Sequence, residues 1–234
     1  MNRQKVAILV DGGFFLKRYC AVYPNGLTHT PSQVVKEFYR ICQRHLKEGK
    51  GGKDHLYRIF YYDCKPLDKR VHNPISHRNV DFGKSDLAIF QNEFFDLLRK
   101  SRKVALRLGY LKDTKSWVIN SRLTKDLIKG KIGMADLKDS DVRYQVNQKS
   151  VDIKIGIDIA TLAYKQLVDK IILISGDGDF VPAAKLARRE GIDFVLDPMW
   201  NQIDASLFEH IDGLRSVSPK PVYMQKSRPF LEAG

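Results

Sequence analysis

The chain has 234 residues, 40 Lys and Arg against 27 Asp and Glu, and a formal net charge of +13. That length suits one domain with insertions and a sizeable core, and the positive balance points to a polyanionic partner such as nucleic acid. Cys20, Cys42 and Cys64 are too few and too scattered for a disulfide framework or a zinc site, and no apolar run is long enough to cross a membrane.

In chain order, Val6–Val10 is an apolar strand closed by Asp11-Gly12-Gly13, whose glycines let the backbone turn tightly. Because the first residues lead straight into a core strand, no signal peptide is expected, and the three cysteines are expected to be small buried hydrophobes in a reducing cytoplasm. Thr30-Pro31-Ser32-Gln33 spells a capping box with Pro at the first helical position. The stripe Val34, Val35, Phe38, Ile41, Cys42 and Leu46 continues that helix to about Lys50-Gly51-Gly52. Leu56–Asp63 is a second strand, and Asp63 at its close is a further candidate for an acidic cluster. A basic loop with Lys65, Lys69, Arg70, His72, His77 and Arg78 follows.

Ser85–Lys100 has helical periodicity with Leu87, Phe90, Phe94, Phe95 and Leu98 inward, and Val104–Leu111 is a third strand. The stretch beyond it is rich in lysine and arginine (Lys112, Lys115, Arg122, Lys125, Lys129, Lys131), and most such charges are merely solvated. Lys149, three residues before Asp152, is the basic residue expected to touch phosphate. Val151–Tyr164 is apolar almost all round and is expected to be a largely buried helix. Asp152 suits its N-terminal end, where the helix dipole favours an anion. Asp158 either pairs with Lys154 four residues earlier or joins a shared site.

Ile171–Ile174 is a buried strand, and the turn Ser175-Gly176-Asp177-Gly178-Asp179-Phe180 displays two carboxylates two positions apart before a helix over 180–187. Like charges at a strand end repel unless a cation or a proton separates them. The competing reading makes Asp177 a turn residue and Asp179 a helix N-cap. Asn201–Leu214 adds a short helix with Ile203, Leu207, Phe208 and Ile211 inward, and from Ser216 the composition (Pro219, Pro221, Pro229) is that of an irregular basic tail.

The segments Leu9-Val10-Asp11-Gly12-Gly13-Phe14, Lys149–Lys154 through Asp158, and Ser175–Phe180 resemble the NYN domain family of the PIN-like nuclease superfamily, in its LabA-like branch. The resemblance implies an α/β fold, a Rossmann-like three-layer sandwich with a mainly parallel central sheet, spanning 1–214 with basic insertions around 65–84 and 112–148 and a tail over 215–234. It also implies an acidic cluster that holds Mg²⁺ or Mn²⁺ and cleaves RNA. In one departure, Phe14 stands where many members carry Asn.

The expected metal ligands and catalytic groups are then Asp11, Asp152, Asp177 and Asp179, with Asp158 as a further metal ligand. Lys149, Lys154 and Ser175 are the expected RNA contacts. Oxygen ligands are what Mg²⁺ and Mn²⁺ prefer, and a crevice admits single-stranded or looped RNA more readily than a rigid duplex. No membrane partner is expected, and a homo-oligomer stays open. Two other readings stand beside the ribonuclease: a non-catalytic RNA-binding or regulatory module on the same fold, and a phosphatase with Asp11 as nucleophile.

Overall fold

The computed structural model describes residues 3–48 and 52–221. Its strands are β1 (Lys5–Asp11), β2 (Lys47–Glu48), β3 (Gly52–Lys53), β4 (His55–Cys64), β5 (Arg70–His72), β6 (Asn79–Asp81), β7 (Val104–Ile119), β8 (Val142–Lys149), β9 (Lys170–Ile174), β10 (Asp193–Asp197) and β11 (Gly213–Leu214). The helices are α1 (Gly12–Val22), α2 (Pro31–His45), α3 (Asp86–Arg99), α4 (Ser121–Ile128), α5 (Val151–Tyr164), α6 (Val181–Arg189) and α7 (Ala205–Phe208). The chain divides into two compact units: Met1–Asp63, Glu93–Leu108 and Ser150–Gly234 form the first, Cys64–Asn92 and Gly109–Lys149 the second.

In the first unit the strand order is β11-β10-β9-β1-β4-β7. β1 runs parallel to both neighbours, with Val10 opposite Ile174 of β9 and Asp11 opposite Tyr62 of β4. β9–β10 and β10–β11 are also parallel. Val6–Val10 and Lys170–Ile174 are buried along their whole length, because a central parallel strand is covered on both faces and so carries an unbroken apolar run. β4 shows which helices do the covering. Tyr61 points to one side, its ring edge-on to Phe15 of α1, Phe38 of α2 and Phe94 of α3 at centroid distances of 6.3, 5.6 and 5.4 Å. Its neighbour Tyr62 points to the other side, where its Oη donates to Asp158 of α5 at 2.8 Å. Helices therefore flank a mainly parallel sheet on both faces, the expected Rossmann-like, PIN-like sandwich.

Local signals explain the helix starts. Thr30 accepts from the Gln33 N–H while the Gln33 side chain accepts from the Thr30 N–H, completing the capping box, and Pro31 opens α2. At the end of β10 the fully buried Asp197 accepts from His45 Nε2 at 2.8 Å and from the Met199 N–H at 2.7 Å. That carboxylate ties α2 to a loop in which Met199 and Trp200 both hold positive φ, 46° and 65°, a conformation L-residues adopt only when surrounding contacts enforce it. Arg18 of α1 adds two hydrogen bonds to the Met199 carbonyl.

The second unit is built on an antiparallel ribbon, the outer half of β7 paired with β8. A bulge between Asp113 and Ser116 is closed by Lys115 at φ 55°, its N–H donating to Asp113 Oδ1 at 2.7 Å. On one ribbon face Trp117 and Tyr144 meet edge-on at 5.4 Å, and Phe82 packs against both.

Several expectations need correction. The third strand runs to Ile119, and neither β8 nor α4 was anticipated within the basic stretch. Leu87 is 66% exposed rather than inward. α5 buries Ile155, Ile159 and Leu162 but leaves Ile153, Ile157 and Tyr164 exposed, so it covers the sheet with one face only. Cys42 and Cys64 are buried, whereas Cys20 is exposed. α2 ends at His45, and Lys50 and Gly51 lie outside the described residues. Within 201–214 only Ala205–Phe208 is helical, and Gly213–Leu214 joins the sheet edge. Of the basic tail, residues 222–234 lie outside the described residues. Among the described residues, no helix is long and apolar enough to cross a membrane.

Candidate active site

From β1 the chain steps outward in one direction to β4, while β9, β10 and β11 lie on the other side of β1. The order reverses between β1 and β9, and a doubly wound sheet opens a crevice beyond the carboxyl ends of its strands at that point. Asp11 ends β1 there. Its Oδ1 accepts the Phe14 N–H at 3.1 Å, capping α1, and its Oδ2 receives a long hydrogen bond of 3.5 Å from Ser175 Oγ at the end of β9. Gly12 follows because nothing larger fits: a Cβ would stand 2.6 Å from the Tyr62 carbonyl oxygen and 2.7 Å from Asp63 Oδ2.

Two further carboxylates, Asp152 and Asp177, lie within the electrostatic reach of this group. Burial raises the Asp11 carboxyl above its ordinary value, the Phe14 N–H opposes that, and the charges of Asp152 and Asp177 raise it again. Asp152, in the first turn of α5, is likewise raised by desolvation and then by Asp177 and Asp179. Asp177 caps the single 3₁₀ turn Gly178–Phe180, accepting the Asp179 N–H at 3.0 Å. The N-cap role thus falls to Asp177, while α6 begins after Phe180. Ser175 is fully buried, and its Oγ also accepts the Asp177 backbone N–H at 3.4 Å, linking the Asp11 carboxylate to the main chain of the loop after β9 through one hydroxyl.

The donor set is all carboxylate, which suits a hard divalent cation and not zinc or copper. Mutual repulsion among four acids on a basic chain is also what a cation would relieve. As the side chains stand, no three His, Cys, Asp or Glu groups among the described residues are gathered closely enough to ligate one ion.

The remaining sequence candidates fall in different places. Asp158 accepts from Tyr62 Oη and from Arg107 Nε at 3.2 Å, so its partners are β4 and β7 rather than Lys154 of its own helix. Lys154 is half-buried on α5, and Lys149 is exposed at the end of β8. Asp63 is buried beside Gly12; burial first, and then the charges of Asp63 and Asp11, hold the Tyr61 phenol protonated.

Three residues border the site that sequence reasoning did not assign to it. The Phe14 ring lies 2.9 Å from where a Cβ on Gly176 would be, and Asn201 Nδ2 lies 3.5 Å from the same point. A side chain at position 176 would therefore have to displace the Phe14 ring. The Asp204 carboxyl carbon lies 3.4 Å from a Cβ on Gly178. The Asp-x-Ser cap at the start of α7, where Asp204 accepts the Ser206 N–H, is the local signal that marks Asp204 in the sequence, but nothing local ties it to Gly178.

The NYN domain family model matches residues 74–203, a little over half the chain. That stretch contains Asp152, Asp158, Asp177 and Asp179 and leaves Asp11 before it. No curated protein matches. A solved structure of a protein of unknown function from Vibrio parahaemolyticus is similar at 16% identity and a TM-score of 0.43, covering 92% of this chain and 94% of that one.

Proposed function

The chain belongs to the NYN family, and from that premise we propose that it is a metal-dependent ribonuclease of the LabA-like branch, hydrolysing phosphodiester bonds in single-stranded or looped RNA. NYN domains have a PIN-like nuclease fold and are generally RNA-directed hydrolases that use divalent metals. The observation that carries the reading for this chain is the shared field of Asp11, Asp152, Asp177 and Asp179 at the point where strand order reverses.

In this reading Asp11, Asp152, Asp177 and Asp179 hold Mg²⁺ or Mn²⁺. When bound, the ion supplies an acidified water and neutralises charge at the phosphate. The protein's part is positioning. Ser175 Oγ and the Phe14 N–H fix the two oxygens of Asp11. The Ser175–Asp177 link sets the loop after β9. Lys154, one turn into α5, offers a cation to the phosphate. Asp158 takes both Tyr62 and Arg107 on Oδ2, so it orients Arg107 through that oxygen and would offer the ion its other one. No side-chain nucleophile is required.

The test is cleavage of a labelled single-stranded RNA with Mn²⁺, with and without chelator, by the parent and by Asp177→Asn. Both chelation and the substitution should lower the rate at least about 100-fold, since loss of even an outer-shell partner costs 10–100-fold. Turnover that survives both treatments would overturn the reading. A non-catalytic RNA-binding module is favoured by one observation, the lack of three gathered ligands among the described residues, and it is the outcome if RNA binds without being cut.

A further inference from the structure

The β7–β8 ribbon has two unlike faces. Residues alternate sides along a strand, so Arg143, Gln145, Asn147 and Lys149 of β8 share one face and Val142, Tyr144, Val146 and Gln148 the other. Directly opposite residues of an antiparallel pair share a face, and the register sets Tyr110 opposite Lys149 and Lys112 opposite Asn147. The Tyr144 face is occupied: Trp117 and Phe82 pack there, and Lys69 is bonded to both Asp113 and Tyr144 Oη.

The Lys149 face is open. Lys112, Arg143, Asn147 and Lys149 are exposed and Tyr110 is 59% exposed. Lys69 on the packed face is paired with Asp113, whereas Lys112, Arg143 and Lys149 form no ion pair with any described residue. A bare aromatic ring flanked by unpaired cations and an amide, on a strand face about 20 Å long, has the three elements of a single-strand platform: a surface for a base to stack on, charge for the phosphates, and a donor–acceptor group for base edges. A duplex engages only the charge, because its bases are already stacked.

We propose that this open face holds single-stranded RNA, with Tyr110 stacking on a base and Lys112, Arg143 and Lys149 contacting phosphates. The proposal deepens the ribonuclease reading and rests on it for the choice of RNA. The ribbon ends at Lys149, three residues before Asp152 along the chain, so strand and candidate ligand are joined by a single short turn.

The test is fluorescence anisotropy of a labelled single-stranded oligoribonucleotide with the full chain in chelator, where nothing is cut, over a range of KCl. Combined Lys112→Ala, Arg143→Ala and Lys149→Ala should weaken binding at least about tenfold and reduce the slope of log affinity against log salt by about 2, since each phosphate contact contributes about 0.7. Tyr110→Ala should weaken single-strand binding by about 5- to 100-fold at an unchanged slope, with Tyr110→Phe restoring it and a matching duplex insensitive to both. Lys36→Ala, a charge removed from exposed α2 surface, should change neither. All four ribbon side chains are exposed, so melting curves should overlay the parent; if the triple variant melts early, Lys149→Glu alone serves in its place. Parental affinity and slope in the ribbon variants overturns the proposal, as does failure of the parent to bind. Ribbon-dependent binding without Mn²⁺-dependent cleavage sustains the platform while the nuclease reading falls.

Discussion

Asp11 works against the stability of the protein that carries it. Its carboxyl is raised by burial and by two like charges, against which stand the Phe14 and Gly13 N–H groups and a long Ser175 contact. An amide at this position keeps an oxygen for the Phe14 N–H and loses the repulsion. Asp11→Asn should therefore gain about 1 kcal/mol, raising the melting midpoint by about 2–4 °C for a chain of this size, while Mn²⁺-dependent cleavage is lost. Calorimetry beside the RNA assay checks both signs, and a midpoint that falls would mean the charge is compensated by something else. Asp11, Asp177 and Asp179 were legible as candidates in the sequence because they follow apolar strands in glycine-containing turns, and Asp152 because it opens an apolar helix. Asp204 and Asn201 were not, since their approach to Gly178 and Gly176 exists only once the chain from α7's cap folds back over the loop after β9.

Elements were legible in proportion to how strongly one period dominates them. Val6–Val10 and Ile171–Ile174 are strands in the structure as in the sequence, and the α2 stripe with its Thr30–Gln33 box admits no other reading. α5 misled because an all-round apolar pattern carries no phase, so it could not reveal that Ile153 and Ile157 face outward. β8 was overlooked although Val142, Tyr144 and Val146 alternate with polar residues, the period-two signature of a half-covered strand; the lysine-rich surroundings drew attention to charge instead. The ribbon they form has its own pH dependence. Bonds from Lys69, then Tyr144, hold the Asp113 carboxyl down at about 2. A carboxyl depressed in the folded state stabilises it at pH above its unfolded value near 3.9 and loses that contribution as pH falls through the folded value. The Tyr144–Trp117 packing should thus persist at pH 4.5 and weaken between about pH 4 and pH 2. Carboxyl titration by NMR should find Asp113 near 2, and Asp113→Asn should flatten the midpoint over that window. A midpoint of the parent titration near 3.9 would rule the pairing out.

At the scale of the molecule, the net charge of +13 makes salt act in opposite directions on folding and on binding. Excess positive charge repels itself in the compact state, and the screening length falls from about 30 Å at 0.01 M salt to about 10 Å at 0.1 M. Added KCl should therefore raise the melting midpoint of the RNA-free protein. RNA stabilises the folded chain by mass action, about 2.7 kcal/mol at a hundred times its dissociation constant, or roughly 5–10 °C here. That increment should shrink with salt, because affinity gained through phosphate contacts falls steeply as counterions are supplied. The two effects cross. At low salt the protein with excess single-stranded RNA should melt well above the free protein, and by several tenths molar KCl the curves should converge from both sides. Two dissimilar units need not melt together, so the comparison belongs to the midpoint reported by each probe. An RNA-free midpoint that falls with KCl would mean that the like charges are already neutralised within the fold, leaving no surplus cation for a phosphate to meet.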